Sequence, residues 1–161
     1  MPITPFHFGL GAALHGAAPR RVSFRAFCVA SVLIDLESLH KLLRQRHPVH
    51  AFLHSYLGAT LVVLATLLLF LLLRRWATRL PNLLGWRDLK AGAVTLGAAL
   101  GAYSHIVLDS IMHADMRPLW PFSQHNGLLG VLSLRQLHLW CLGLGALGLL
   151  LIAARRLLRP R

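Results

Sequence analysis

Residues 51–73 read AFLHSYLGATLVVLATLLLFLLL, and this stretch decides the fold. Its 23 residues contain no Lys, Arg, Asp or Glu, and Arg74 and Arg75 end it. A helix needs about 20 mostly apolar residues to cross a bilayer. The stretch therefore predicts a membrane-spanning helix in which His54 is the one ionisable group. Two further stretches resemble it. Residues 91–112 are flanked by Arg87, Asp88 and Lys90 and carry Gly92, Gly97 and Gly101, small residues that permit close helix packing in lipid. Residues 137–154 stop at Arg155 and Arg156 and contain Gly143, Gly145 and Gly148.

The whole composition agrees. Of 161 residues, 56 % are apolar and 14 % charged, and the mean hydropathy is +0.60. A soluble domain carries about 25 % charged residues. The shortfall argues against a water-soluble globule and against a disordered chain. The net charge is +12, from 17 basic and 5 acidic residues. A nucleic-acid binder gathers such charge on one face or arm. Here it falls in short bursts between apolar runs, as it does beside membrane helices. The expected partner is a lipid bilayer, and nucleic acid is not expected. Cys28 and Cys141 lie in apolar runs without a CxxC motif and read as small core residues.

The N-terminal third is less regular. Residues 3–18 are Gly/Ala-rich and interrupted by His7 and His15, and residues 22–39 carry Asp35 and Glu37 near their end. The first stretch lacks the basic n-region of a signal peptide, so it is read as part of the fold. The expected architecture is all-α: a polytopic membrane bundle of about five helices, two of them short, with residues 1–161 as one integral membrane domain. A soluble all-α core is the competing reading, and the charge-free run at 51–73 counts against it. Residues 113–136, with Pro118, Trp120 and Pro121, are expected to form a long interfacial or re-entrant lid.

If five segments cross alternately, 12 basic residues share one side: Arg20, Arg21, Arg25, Arg74, Arg75, Arg79, Arg87, Lys90, Arg155, Arg156, Arg159 and Arg161. The other side receives 5: Lys41, Arg44, Arg46, Arg117 and Arg135. The positive-inside rule makes the richer side, and with it the C-terminus, cytoplasmic. This frame uses basic residues alone, yet it sends Asp35, Glu37, Asp109 and Asp115 to the opposite rim. His7, His40, His47, His50, His54, His105, His113 and His125 go with them. Ionisable groups at membrane depth are costly and mark function by default.

Local spacing sharpens the candidates. His50 and His54 are four apart, so a helix would place them on one face, and His105, Asp109 and His113 form an i, i+4, i+8 stripe. Imidazole and carboxylate together suit zinc or another divalent transition metal. One or two such ions could hold a hydroxide at neutral pH and clamp an oxyanion. Asp35 and Glu37 are two apart, so either the helix ends at Asp35 or only one of them faces the site. Glu37 has two readings, general base or ion-pair partner of Lys41. Asp115 could pair with Arg117, cap a loop or ligate. His47 and His125 fall in loops. His15 and His138 read as hydrogen-bonded core residues.

At these residues the chain resembles a family of predicted bacterial integral-membrane metal-dependent hydrolases, the inner-membrane LexA-binding hydrolase-like group. The matching motifs are TPFHFGLG, IDLE, HAFLHS and SHIVLDSIMHADMRPLWPF, in that order, over most of residues 1–125. Two details depart from the family pattern. Ile34 stands where a proline is usual, and His-Ala-Phe-Leu-His-Ser replaces His-Arg-Gly-x-Thr-His-Ser. The resemblance implies a bacterial inner-membrane location and names His7, Asp35, Glu37, His50, His54, His105 and Asp109 as candidate ligands. The helical His/Asp/Glu pattern is more distantly similar to zinc-dependent phospholipase C and nuclease-type phosphoesterases.

The expected activity is therefore hydrolysis of an ester or phosphoester, lipid-derived in one version, at the non-cytoplasmic rim. The nucleophile would be water bound to a divalent metal, zinc in the first instance. His7, Asp35, His50, His54, His105 and Asp109 would be the ligands, with Glu37 and Asp35 as the catalytic carboxylates. Two other readings compete: a metal or proton transporter, and a non-catalytic scaffold with a His-rich rim. A transport path needs polar groups through the full thickness, whereas residues 57–73 offer only Thr60 and Thr66. The number of metals, the substrate and the oligomeric state stay open at this point.

Overall fold

The computed structural model describes residues 5–76, 79, 81–82 and 85–158. Five helices follow one another: α1 (His7–Ala17), α2 (Phe24–Leu43), α3 (Tyr56–Arg75), α4 (Ala91–Met112) and α5 (Leu134–Leu157). No strand occurs among the described residues. Helices α3, α4 and α5 are long and apolar enough to cross a membrane. Their exposed faces carry the side chains that lipid would cover, such as Leu61, Leu64 and Leu68 on α3 and Leu142, Leu149 and Leu150 on α5.

Serines start three of these helices. Ser23 accepts the Ala26 N–H before α2, Ser55 accepts the Gly58 N–H before α3, and Ser133 with Gln136 forms a capping box before α5. Each cap satisfies an N–H group that no helical carbonyl can reach. Helix α5 therefore begins at Leu134, three residues ahead of the apolar run that announced it.

Two expected boundaries move for a physical reason. Helix α2 does not end at Asp35 but continues to Leu43, so the carboxylate is carried inside a helix and turned inward. The chain from His50 to Ser55 is not the first turn of α3. Ala51 is non-helical, Phe52–His54 form a single 3-10 turn, and α3 starts only at Tyr56. His50 and His54 thus do not share a helical face, although the turn brings their rings to 4.8 Å between centroids. Helix α1 is 11 residues long, about 17 Å at 1.5 Å per residue, against about 30 Å of hydrocarbon. It reaches only half-way across. The sequence expectation that it starts at residue 3 lies outside the described residues.

Small residues set the helix pairings. A Cβ on Gly97 would collide with the Ser23 carbonyl, and one on Gly101 with the Phe27 backbone, so α2 and α4 run side by side at backbone contact. Gly9 and Gly148 do the same between α1 and α5. Between the helices Ala30, Ile34, Ala59, Val62, Ala98, Ala102 and Ile106 form an apolar core. The consecutive helices α3 and α4 are joined near the rim by Thr60 and Tyr103, whose hydroxyls lie 2.8 Å apart. The segment from His113 to Ser133 folds back over the ends of α3 and α4. The Tyr56 N–H donates to the Pro118 carbonyl, and the Asn126 amide donates to the carbonyls of Ser110 and His113. Its apolar tip is exposed, with Phe122 at 91 %.

Candidate metal centre

One end of the bundle gathers four acids and imidazoles from three segments. Asp35 comes from the middle of α2, His54 from the 3-10 turn, and His105 and Asp109 from the last two turns of α4. All four are buried, His54 completely at 0 % exposure. His105 Nε2 lies 3.3 Å from Asp35 Oδ1 and 3.2 Å from Asp109 Oδ2. His54 Nε2 lies 3.7 Å from Asp35 Oδ1 and 3.6 Å from Asp109 Oδ2. Ligand atoms around tetrahedral zinc, each about 2.0–2.1 Å from the ion, stand roughly 3.3 Å apart. One donor atom from each of the four lies within 4.8 Å of the others.

The donors are close without being well paired. His105 Nε2 has no hydrogen-bond partner among the described residues, although two carboxylates stand within 3.3 Å. The same holds for Asp109 Oδ1 and His7 Nε2, which are 3.3 Å apart. The groups are within ion-pair distance, but their angles are too poor for hydrogen bonds. Buried polar atoms are nearly always bonded, so converging orphans need an explanation. A cation at their focus supplies one, and it also offsets two carboxylates buried side by side. The four residues fit a divalent ion.

Surrounding residues orient the candidate ligands. Ser38, one turn beyond Asp35 on α2, donates its hydroxyl to the Val49 carbonyl at 3.2 Å. Its Oγ stands 3.4 Å from His54 Nδ1 and 3.5 Å from Nε2, so it can only accept from the ring. Acceptance from Nδ1 leaves the Nε2 lone pair available to a cation beside the carboxylates. His7 lies behind His105, the two Nδ1 atoms 3.0 Å apart. Its Nε2 stands 3.3 Å from Asp109 Oδ1, and the residue is outside the group of four.

His50 is held by a carboxylate of its own. Its Nδ1 donates to Asp115 Oδ1 at 2.8 Å, while Asp115 Oδ2 accepts the Val49 and His50 N–H groups at 3.0 Å each. Burial favours the neutral carboxyl, yet these three donors hold Asp115 below the usual carboxylate range. Burial also pushes the His50 ring below its usual value, and His113, stacked on it at 4.0 Å, is lowered for the same reason. Both rings therefore favour the neutral state that a metal ligand needs.

Glu37 stands apart. Two positions beyond Asp35 on one helix, it points elsewhere, and its Oε2 accepts the Leu53 N–H at 2.6 Å. Lys41 donates to the Pro48 carbonyl. Glu37, Lys41, His50, Phe52, Arg117 and Trp120 line a cavity of about 270 Å³ beside the buried cluster. The remaining histidines fall outside the cluster. His15 bonds the Val22 carbonyl, His138 stacks on Phe6 at 4.2 Å, and His40, His47 and His125 are exposed. Sequence reasoning passed over Ser38 and the clamp of Asp115 on His50. It placed His113 on the α4 stripe but left it out of the ligand set.

Among known families, residues 1–159 match the YdjM inner membrane protein family. No curated protein and no solved structure matches the chain. The match covers nearly the whole chain, and its inner-membrane description agrees with three apolar helices of spanning length. This chain therefore belongs to the YdjM inner membrane protein family.

Proposed function

We propose that this protein is a membrane-embedded hydrolase that uses a divalent metal, zinc in the first instance, to cleave an ester or phosphoester at the non-cytoplasmic rim. The observation that carries the reading is the convergence of Asp35, His54, His105 and Asp109 on one buried focus, with His105 Nε2 left without a hydrogen-bond partner among the described residues between two carboxylates. A divalent ion held there supplies Lewis acidity and lowers the pKa of water to near neutrality. The protein's own groups do the rest. His54 and His105 would supply imidazole nitrogen to the ion, and Asp35 and Asp109 negative charge. Ser38 and His7 fix the rings.

The adjoining cavity gives a substrate somewhere to sit. Lys41 and Arg117 on its wall favour a phosphoester over a carboxylic ester, because both cations can pair with phosphate oxygens. Phe52 and Trp120, edge to face at 5.7 Å, offer an apolar flank to an attached acyl or alkyl chain. Glu37 is the carboxylate on that wall outside the histidine cluster, and the general-base role is assigned to it. The transport reading has less support. Away from the rim the buried side chains include Val62, Val63, Phe70, Val94 and Ala98, and the buried Thr66 and Ser31 hydroxyls are taken up by the Val62 and Phe27 carbonyls.

The test uses full-length protein in lipid nanodiscs, loaded with zinc and offered a phosphodiester, a phosphomonoester and a carboxylic ester chromogenic substrate alongside phospholipid. Hydrolysis of at least one, lost with chelator, restored by zinc and abolished by Asp35→Asn, is the expected result. Metal-loaded protein that turns over none of them sinks the hydrolase reading.

A further inference from the structure

Asp109 belongs to two groups of donors. The first is the cluster with Asp35, His54 and His105. The second consists of His50, Asp109 and His113, which again offer one donor atom each within 4.8 Å of one another. Three atoms in the second group lack any hydrogen-bond partner among the described residues: His50 Nε2, His113 Nε2 and Asp109 Oδ1. His50 is 6 % exposed and Asp109 2 %.

The arrangement around His50 is what a metal ligand requires. Asp115 takes the proton side of the ring at Nδ1, and two backbone N–H groups lock that carboxylate in place. A carboxylate behind an imidazole fixes the tautomer and aims the opposite nitrogen. No described residue hydrogen-bonds that nitrogen. The His113 ring lies nearly parallel to His50, at 26° and 4.0 Å, so the two Nε2 atoms are both left without a partner beside the same carboxylate. Burying two stacked imidazoles whose Nε2 atoms have no hydrogen-bond partner among the described residues is unfavourable unless something fills the gap.

We infer that the site is dinuclear: Asp109 bridges, with Oδ2 toward the Asp35/His54/His105 centre and Oδ1 toward a second divalent ion held by His50 and His113. The inference builds on the metal-site reading above but not on the reaction. Two ions held by one carboxylate would lie within about 4 Å, the spacing that clamps both oxygens of a displacement. The second ion stands on the side of His50, which also lines the cavity with Lys41 and Arg117, so it is the one that meets an incoming anionic substrate.

The experiment counts metal directly. Purified protein in nanodiscs is stripped, reloaded with Zn²⁺, desalted and analysed for zinc per chain. Two equivalents are expected for the native sequence, one for His113→Gln and one for His50→Gln, and fewer than one for Asp109→Asn. Reloading with Mn²⁺ adds a second readout: an exchange-coupled electron paramagnetic resonance signal in the native protein, replaced in His113→Gln by the six-line signal of an isolated ion. Variants are compared at equal monodispersity and helicity, and His113→Gln, which sits past the end of α4, is the one least able to disturb the bundle. A native stoichiometry of one, or two equivalents retained in both glutamine variants, overturns the inference. The two readings separate cleanly. Two zinc ions without hydrolysis leave the dinuclear centre standing and remove the enzyme. One zinc ion with hydrolysis does the reverse.

Discussion

Asp109 and His54 sit where a single substitution should be felt most. Alanine at either position removes a donor from a buried cluster and leaves the opposing charges uncompensated, so zinc content should fall by at least half. His138→Ala, which only loses a ring stacked on Phe6, should leave zinc content unchanged. Equal zinc in all three proteins would remove the site. The orienting residues predict a subtler loss. Ser38→Ala and Asp115→Asn keep every ligand but free the His54 and His50 rings, and zinc affinity should drop about 10- to 100-fold. Competition with a fluorescent chelator measures it. Glu37→Gln should behave differently again, lowering kcat about 100-fold at unchanged zinc content if the residue is the base. Residue types alone announced most of this cluster, because acids and imidazoles are rare in apolar sequence. They did not announce Ser38 or the Asp115 clamp. A serine in a helix and an aspartate in a loop are unremarkable until the partner, 16 residues away for Ser38 and 65 for Asp115, is known.

Helix pairing yields predictions of its own. Gly101→Leu must push α2 away from α4, since even a Cβ would strike the Phe27 backbone. Overpacking of this kind costs about 1–3 kcal/mol or more. Thermal unfolding in detergent, followed by circular dichroism, should show a clear drop in Tm. Gly92→Ala, with nothing within 4 Å, should instead be neutral or stabilising by about 0.5–1 kcal/mol through helix propensity. Similar losses in both would mean that the glycines matter for backbone freedom rather than for approach. The three apolar helices were legible because lipid burial demands an unbroken apolar run. The extent of α2 was not, because Asp35 looks like a helix stop until the cluster that receives it is assembled. The 3-10 turn at Phe52–His54 was equally hidden: four-residue spacing suggests a helix whether or not Ser55 begins one later.

Across the molecule the two ends differ in chemistry. The acid- and imidazole-rich rim lies at one end, and Arg20, Arg21, Arg155 and Arg156 lie at the other, where the Arg155 guanidinium donates to the Ala17 carbonyl. Arg159 and Arg161, which entered the charge asymmetry, lie outside the described residues. The asymmetry predicts that a reporter fused after Arg161 is active only in the cytoplasm. A single cysteine between Met116 and Asn126 should react with a membrane-impermeant thiol reagent applied from outside. Labelling from the inside alone would put the rim, and any substrate, on the cytoplasmic face. The overall bundle was readable from hydropathy, but the meeting of α2, the 3-10 turn and α4 at one focus depended on helix directions that only the charge pattern hinted at. Helix α5 supplies none of the proposed ligands. It packs on α1, and every ligand from Asp35 to His113 precedes it in the chain. During synthesis on the ribosome, then, all of the proposed metal donors have been made before α5 emerges. The centre can close early, and the final helix arrives as a clasp that fastens the half-length first helix to a finished site.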